Sequence, residues 1–450
     1  MGQLRRELGR WDLTAIGVNQ VVGGAVFAMP ATLAASIGLW SPWLVGGVGL
    51  ASLLIAATFA EVGSRFDGTG GPYLYTRAAF GRFAAFEVGW MMWFTRVASW
   101  AAVINVLVQA LGFYWPSVTI EPARTIVMCV LIATLAVINV LGIRQSAWVV
   151  NTLTLGKLVP LVLFVLLALP SVGGAGLRPG PIPPFDNLAA SALLLIFGFG
   201  GYEVVPVPAG ESKNPRRDVP FALIMTIVAV TALFALIQLA CLALLPGLAV
   251  SKTPLADAAA RLAGAGGAAV ITLGAVFSTL GNNMGQALSG SRSLYALAEQ
   301  GDVPRPFALI SPRFGTPIVA IVFTAAVSML LATTGSFAIM ATASAVSRLV
   351  VYLGTCAAAL RLRAGAFAGS VPPPRTRLPL GPAIPLAAIA IASAILFGAT
   401  RTQLIGGAAA LAAGAVLFLI AVLSTRQETV FPHGDRERDG HQQPESEQQR

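Results

Sequence analysis

The chain has 450 residues, 56% of them hydrophobic and only 11% charged. A soluble domain of this size carries about 25% charged residues, so the composition excludes a large soluble domain and points to a membrane protein. The formal net charge is +10, but the basic residues lie in short gaps between apolar runs rather than in one patch. That excludes a nucleic-acid-binding reading and fits membrane topology.

A transmembrane helix needs about 20 mostly apolar residues. Stretches of that kind predict twelve spans, in chain order 12–37, 41–63, 83–112, 122–142, 147–169, 187–210, 219–246, 267–297, 316–334, 336–361, 381–398 and 402–424. The expected class is an all-α integral membrane protein. Several spans exceed the bilayer thickness and are expected to tilt. The first span follows a short basic start and has no small-residue cleavage site, so it is expected to be an uncleaved helix. Residues 1–425 are expected to form one helical domain, and 426–450, rich in Glu, Gln and Arg, a disordered cytoplasmic tail. The Pro-rich piece at Val371-Pro372-Pro373-Pro374 reads as a linker before the last two spans.

Charge tests this count. With a cytoplasmic N-terminus, the inside gaps receive Arg5, Arg6, Arg10, Arg65, Arg77, Arg82, Arg144, Lys213, Arg216, Arg217, Arg292, Arg305, Arg313, Arg361, Arg363, Arg375 and Arg377. The outside gaps receive only Arg124, Arg178, Lys252, Arg261 and Arg401. This asymmetry predicts that both termini are cytoplasmic, in a cell (inner) membrane. An error of one span would flip half the gaps and destroy it.

Cys129, Cys241 and Cys356 fall in apolar runs without CxxC spacing, and His433 and His441 lie in the tail. No disulfide framework, metal site or cofactor is expected. No phosphate-cradling G-x-x-x-x-G-K-[ST] segment occurs, so ATP is not expected to act on this chain.

Two spans carry helix breakers. The first reads Val22-Gly23-Gly24-Ala25-Val26-Phe27-Ala28-Met29-Pro30, and the sixth reads Phe197-Gly198-Phe199-Gly200-Gly201-Tyr202-Glu203, with Pro206 and Pro208 beyond. Adjacent glycines disfavour the helix, and proline removes a backbone donor. Unwound backbone is tolerated at membrane depth only inside protein or beside a water-filled cavity. There its N–H groups suit a carboxylate and its carbonyls an ammonium, and an α-amino acid carries both. The competing reading is close packing of helices through small residues. Breaks in the first and sixth spans occupy corresponding positions if ten helices form two five-helix repeats of opposite orientation.

The chain resembles the amino acid–polyamine–organocation superfamily, the amino acid permeases. The first break is similar to the family's G-S-G-I/V-F-x-x-P element and the sixth to its F-x-G-F-E element. Lys213-Asn214-Pro215-Arg216-Arg217-Asp218-Val219-Pro220 follows as K-N-P-x-R-x-x-P, and Gly70-Gly71-Pro72-Tyr73, Tyr75 and Gly81 resemble G-G-P-Y-x-Y. Ser291-Arg292-Ser293-Leu294-Tyr295-Ala296, Gly301, Pro304 and Gly315-Thr316-Pro317 resemble the segment after the family's eighth helix. The resemblance covers roughly residues 10–365 and rests on the joint order of these motifs. One departure stands out: the family's G-S-G is Gly23-Gly24-Ala25 here, without the hydroxyl.

The resemblance implies a 5+5 inverted repeat (1–170 and 187–362) plus two C-terminal helices (381–425). It also implies an amino acid substrate at Val22, Gly23, Gly24, Ala25, Phe199, Gly200 and Gly201. Phe197 resembles a gate residue, against ordinary packing. Glu203 resembles a glutamate linked to gating, against a fixed hydrogen bond to backbone. Lys157 resembles the lysine whose ammonium replaces a coupling cation, which implies proton coupling, against a purely structural lysine. Arg96 and Arg348 are the other ionisable residues at membrane depth, where charge is expensive and usually functional. Each is expected either to pair with Glu203 or to approach the substrate.

The expected function is proton-coupled secondary transport of L-amino acids by alternating access. An amino acid or polyamine exchanger or exporter without net proton coupling is the alternative. A membrane-embedded enzyme is disfavoured because no His or Asp lies mid-span, and a channel or receptor is the remaining class. The partners expected are the small-molecule substrate and the lipid bilayer, with the protein a monomer or homodimer.

Overall fold

The structure is a computed structural model that describes residues 4–112, 114–174, 178–334, 337–364, 367, 369–397 and 401–430. Among these, the chain is helical and contains no β-strand. The helices are α1 (Arg10–Val21), α2 (Ala25–Ile37), α3 (Ser41–Gly63), α4 (Pro72–Phe80), α5 (Arg82–Gly112), α6 (Ala123–Leu141) and α7 (Ile143–Gly174). They continue as α8 (Phe185–Phe199), α9 (Pro215–Leu244), α10 (Pro254–Glu299), α11 (Ile318–Thr334), α12 (Phe337–Arg361), α13 (Ala383–Phe397) and α14 (Arg401–Val430).

Among the described residues, six stretches are long and apolar enough to cross a bilayer: Ala25–Gly63, Arg82–Gly112, Ala123–Leu141, Ser146–Val172, Pro215–Leu244 and Pro254–Glu299. Shorter apolar helices cover Phe185–Ile196, Ile318–Thr334, Ala383–Phe397 and Leu404–Ile420. The first span is two helices, α1 and α2, and the fifth is longer than expected, as α7. Three other boundaries also differ from the sequence-based spans. The sixth span stops being α-helical at Phe199, and the chain goes on through short 3-10 turns at Tyr202–Val204 and Ala209–Glu211. The eighth starts earlier, at Pro254, with a kink where Ala263 and Gly264 leave helical geometry. The last helix runs to Val430, into the stretch expected to be a disordered tail, and 431–450 lie outside the described residues.

Burial follows composition. α5 is the axis of the bundle, packed along α10 and α12, and its Trp100, Ala101, Ile104 and Val108 are buried. α6 and α7 instead present Val130, Val137, Leu155, Leu166 and Leu167 on the outside. Such apolar exposure suits lipid, which is as apolar as leucine.

The gaps assigned to the inside meet at one end of the bundle. Leu8, just before α1, forms a parallel bridge with Ser212. The N–H groups of Glu7 and Leu8 both donate to the Glu211 carbonyl at 3.0 Å, and Lys213 N–H donates back to Leu8 at 2.9 Å. Behind this clamp, Arg292 grips Glu211 with two nitrogens, at 2.8 and 3.3 Å, and also donates to Asn139. Arg292 is thus a buried residue of α10 rather than a gap residue. Nearby, Arg363 forks onto Glu61 at 2.7 and 2.6 Å. Asp302 accepts from Tyr73 at 2.6 Å and from Arg82 at 2.5 Å. Burial, then the Asp302 carboxylate, push the Tyr73 phenol up and keep it a donor.

Arg292 and Glu211 are both fully buried. Removing one member of such a pair leaves an uncompensated buried charge and costs about 3–5 kcal/mol. Arg292→Ala is therefore expected to lower the thermal unfolding midpoint of purified protein strongly. The double replacement Arg292→Met with Glu211→Gln should recover much of that loss, and a single mutant as stable as the native protein would contradict the assignment.

Candidate functional site

The first span is interrupted where its glycines sit: α1 ends at Val21 and α2 begins at Ala25. A helix end leaves its last carbonyls without partners, and here nearly every one is satisfied from outside. Lys157 of α7 donates to Asn19 O at 2.7 Å and to Val22 O at 2.5 Å. Asn282 of α10 donates to Gln20 O at 3.0 Å, and Gly23 N–H folds back onto Val21 O at 2.8 Å. Ser278 of α10 donates to Val22 O at 2.8 Å and to Gly23 O at 3.2 Å. The amides are the opposite case. The N–H groups of Gly24, Ala25 and Val26, at the start of α2, have no acceptor among the described residues.

α10 supplies a polar stripe at four-residue spacing on its otherwise small and apolar face. Ser278 and Asn282 cap the broken backbone, Gln286 donates to Asn282 Oδ1 at 3.2 Å, and Gly290 lies against Arg96 of α5. The return bonds run from Asn19 to Gly281 O at 2.5 Å and from Gln20 to Asn282 O at 3.0 Å. Gly281 and Gly285 make room for these side chains, since a Cβ at either would strike Asn19 or Gln20.

The second interruption lies beside the first. Gly201 has φ +127°, open to glycine but strained for other residues. A Cβ there would come within 2.8 Å of the Gln20 carbonyl group. Gly201 N–H donates to Glu203 Oε2 at 2.8 Å. The carbonyls of Phe199 and Gly200 accept no hydrogen bond among the described residues.

Glu203 is the hub of a buried ionic cluster. Arg96 Nη2 lies 2.7 Å and Arg348 Nε 2.9 Å from its Oε1, and Tyr352 of α12 donates to its Oε2 at 2.9 Å. Both arginines therefore pair with Glu203. The ring of Tyr352 stacks on Tyr202, with centroids 5.6 Å apart. Lys157 is fully buried and ion-paired to no carboxylate among the described residues.

The structure thus brings Val22, Gly23, Gly24, Ala25, Lys157, Gly200, Gly201, Glu203, Arg96 and Arg348 into one region. Phe199 is turned into the core, its ring 5.4 Å from that of Phe234, so it offers the break a carbonyl rather than a side chain. The Phe197 side chain lies outside the described residues. Sequence reasoning did not single out Asn19, Gln20, Ser278, Asn282, Gln286 or Tyr352. The signal for α10 was present, as polar residues four apart in an apolar helix, but nothing in one sequence says which neighbour they meet.

Comparison with known proteins completes the identification. Residues 8–425 match the amino acid permease family. An uncharacterized transporter of Mycobacterium tuberculosis is 31% identical over 447 residues, 98% of this chain and 96% of that protein. The serine/threonine exchanger SteT of Bacillus subtilis is 26% identical over 352 residues, 73% of this chain and 76% of its own. The branched-chain amino acid permease BcaP of the same organism is 26% identical over 351 residues, 73% and 74% of the two chains. With a helical fold rich in apolar spans and a family match over almost its whole length, this chain is a multi-pass membrane transporter, not an enzyme, and belongs to the amino acid permease family.

Proposed function

We propose that this protein is a secondary transporter of L-amino acids that works by alternating access, with substrate held at the two broken helices. The observation that carries this reading is the asymmetry of the free backbone groups. The uncommitted amides of Gly24, Ala25 and Val26 form the N-terminus of α2, where backbone donors and the helix dipole favour an anion. A substrate carboxylate belongs there. The carbonyls of the first break are already taken, so the substrate ammonium goes to those of Phe199 and Gly200. The missing family hydroxyl at Gly24-Ala25 is no obstacle, because these backbone donors need no side chain.

In this reading the spans number twelve, ten of them forming two inverted five-helix repeats, with both termini cytoplasmic in the cell's inner membrane. Glu203 acts as a latch that holds the second break through Gly201 N–H, and Phe197 closes over the substrate. Lys157 couples transport to protons. Its ammonium ties α7 to the end of α1 through two carbonyls, so loss of the proton weakens the tie when α1 must move. A buried lysine without a counter-ion is suited to exchanging a proton. Exchange without net proton movement is the second reading, favoured by the likeness to a serine/threonine exchanger.

Two measurements test these statements. In proteoliposomes, uptake by the native protein is expected to rise with an inward proton gradient, and Lys157→Ala should abolish that dependence. Native uptake indifferent to the gradient would reject proton coupling and leave exchange. In a thermal-shift screen of purified protein, a bound amino acid at about 100 times its dissociation constant should add about 2.7 kcal/mol of stability. Shifts with polyamines alone, or with neither class, would reject the substrate class.

A further inference from the structure

Several arginines at the end of the bundle where the inside gaps meet are engaged by the protein itself. Arg363 holds Glu61, Arg292 holds Glu211, and Arg77 and Arg82 share Asp302. Arg216 donates to the carbonyls of Ser64 and Pro373, each at 2.9 Å. Arg6, Arg144 and Lys213 behave differently. Their side chains are exposed and form no ion pair among the described residues. They come from separate stretches: ahead of α1, the first turn of α7, and just after the turn at Ala209–Glu211. All three nevertheless line one cavity of about 510 Å³. Small-molecule sites span about 300–1,000 Å³.

The rest of the wall defines what fits there. Its acids are Glu7 and Asp12. The Asp12 carboxylate is already held, by Gly9 N–H at 2.8 Å and by Asn151 of α7 at 2.8 Å. Trp148 of α7 also lines the cavity and is 68% exposed. One and two heptads further along α7, Leu155 and Val162 are exposed as well. Heptad spacing keeps these three side chains on nearly the same helix face. The cavity therefore opens onto an apolar ridge on the outside of the bundle, with a tryptophan at the junction, as at a membrane–water interface.

We propose that this cavity binds the headgroup of an anionic phospholipid of the inner leaflet. The lipid phosphate lies among Arg6, Arg144 and Lys213, and an acyl chain follows Trp148, Leu155 and Val162. Anionic lipid on the cytoplasmic side attracts clustered basic residues, and guanidinium groups suit phosphate oxygens. The leaflet follows from the orientation given above, with both termini cytoplasmic. A free phosphate would use the cations but gain nothing from the ridge. Arg6 and Lys213 belong to the two stretches joined at Leu8 and Ser212, and Arg144 belongs to α7. A bound headgroup thus ties that clamp to α7. No residue of the substrate site takes part, so the transport reading stands apart from this one.

The test is native mass spectrometry of purified protein in neutral-detergent micelles, titrated with dioleoyl phosphatidylglycerol or dioleoyl phosphatidylcholine. The native protein is expected to retain the anionic lipid at least about tenfold more tightly, and Arg6→Gln with Arg144→Gln should lose that preference. Arg305→Gln with Arg375→Gln removes the same charge from exposed positions outside the cavity and should keep it. Equal retention of the two lipids, or equal loss in both double variants, would overturn the proposal. Displacement of the lipid by inorganic phosphate, but not by chloride at the same ionic strength, would give the site to a soluble anion and overturn it too. A second measurement serves if the double variant is not recovered folded. Brominated phosphatidylglycerol should quench tryptophan fluorescence of the native protein more than brominated phosphatidylcholine, and Trp148→Phe should remove the difference. A difference unchanged in Trp148→Phe would place the lipid elsewhere.

Discussion

The rest of the site depends on how the unwound carbonyl end of α1 is satisfied. Hydrocarbon offers backbone groups no partners, so a helix that stops at membrane depth must be capped by protein. Here α7 and α10 do so, through Lys157, Ser278 and Asn282. These bonds fix α1 against both helices and use up its carbonyls. The amides that open α2 meet no such side chains. The first break is therefore polarised, closed as an acceptor and open as a donor.

The same capping ties the site to the end of the bundle. From Gly201 the chain passes through Glu203 and the turns at Tyr202–Val204 and Ala209–Glu211 to reach Ser212, which is bridged to Leu8 ahead of α1. The stretch before the first break and the stretch after the second are thus hydrogen-bonded to one another, and Arg292 holds that junction to α10 through Glu211. A change at the breaks has a short, continuous route to this end.

Much of this was legible in the sequence. Adjacent glycines with a following proline cannot sit comfortably in a long apolar helix, so both interruptions were visible. Isolated charges such as Lys157 and Glu203 stood out because membrane composition is so monotonous. The apolar runs read directly as α3, α5 and α6, since length and hydrophobicity suffice to define a span. The end of the sixth span was misread because Val204-Val205-Pro206-Val207 is apolar enough for a helix, although its prolines and Gly201 turn it into 3-10 structure. Arg292 was counted with the gaps because a charge near a span's end normally reaches water; Glu211, 81 positions earlier, pairs with it inside.

What the sequence determined by itself was the membrane class, the family likeness and the places where two helices break, because each depends on local composition. The tertiary structure decided which side chains meet the breaks. Lys157 meets the end of α1 across 135 and 138 positions, and Asn282 meets Gln20 across 262. Arg96 and Arg348 converge on one glutamate from α5 and α12. Hydrogen bonds and ion pairs act over about 3 Å, and which residues come that close is fixed by helix packing, not by their order along the chain.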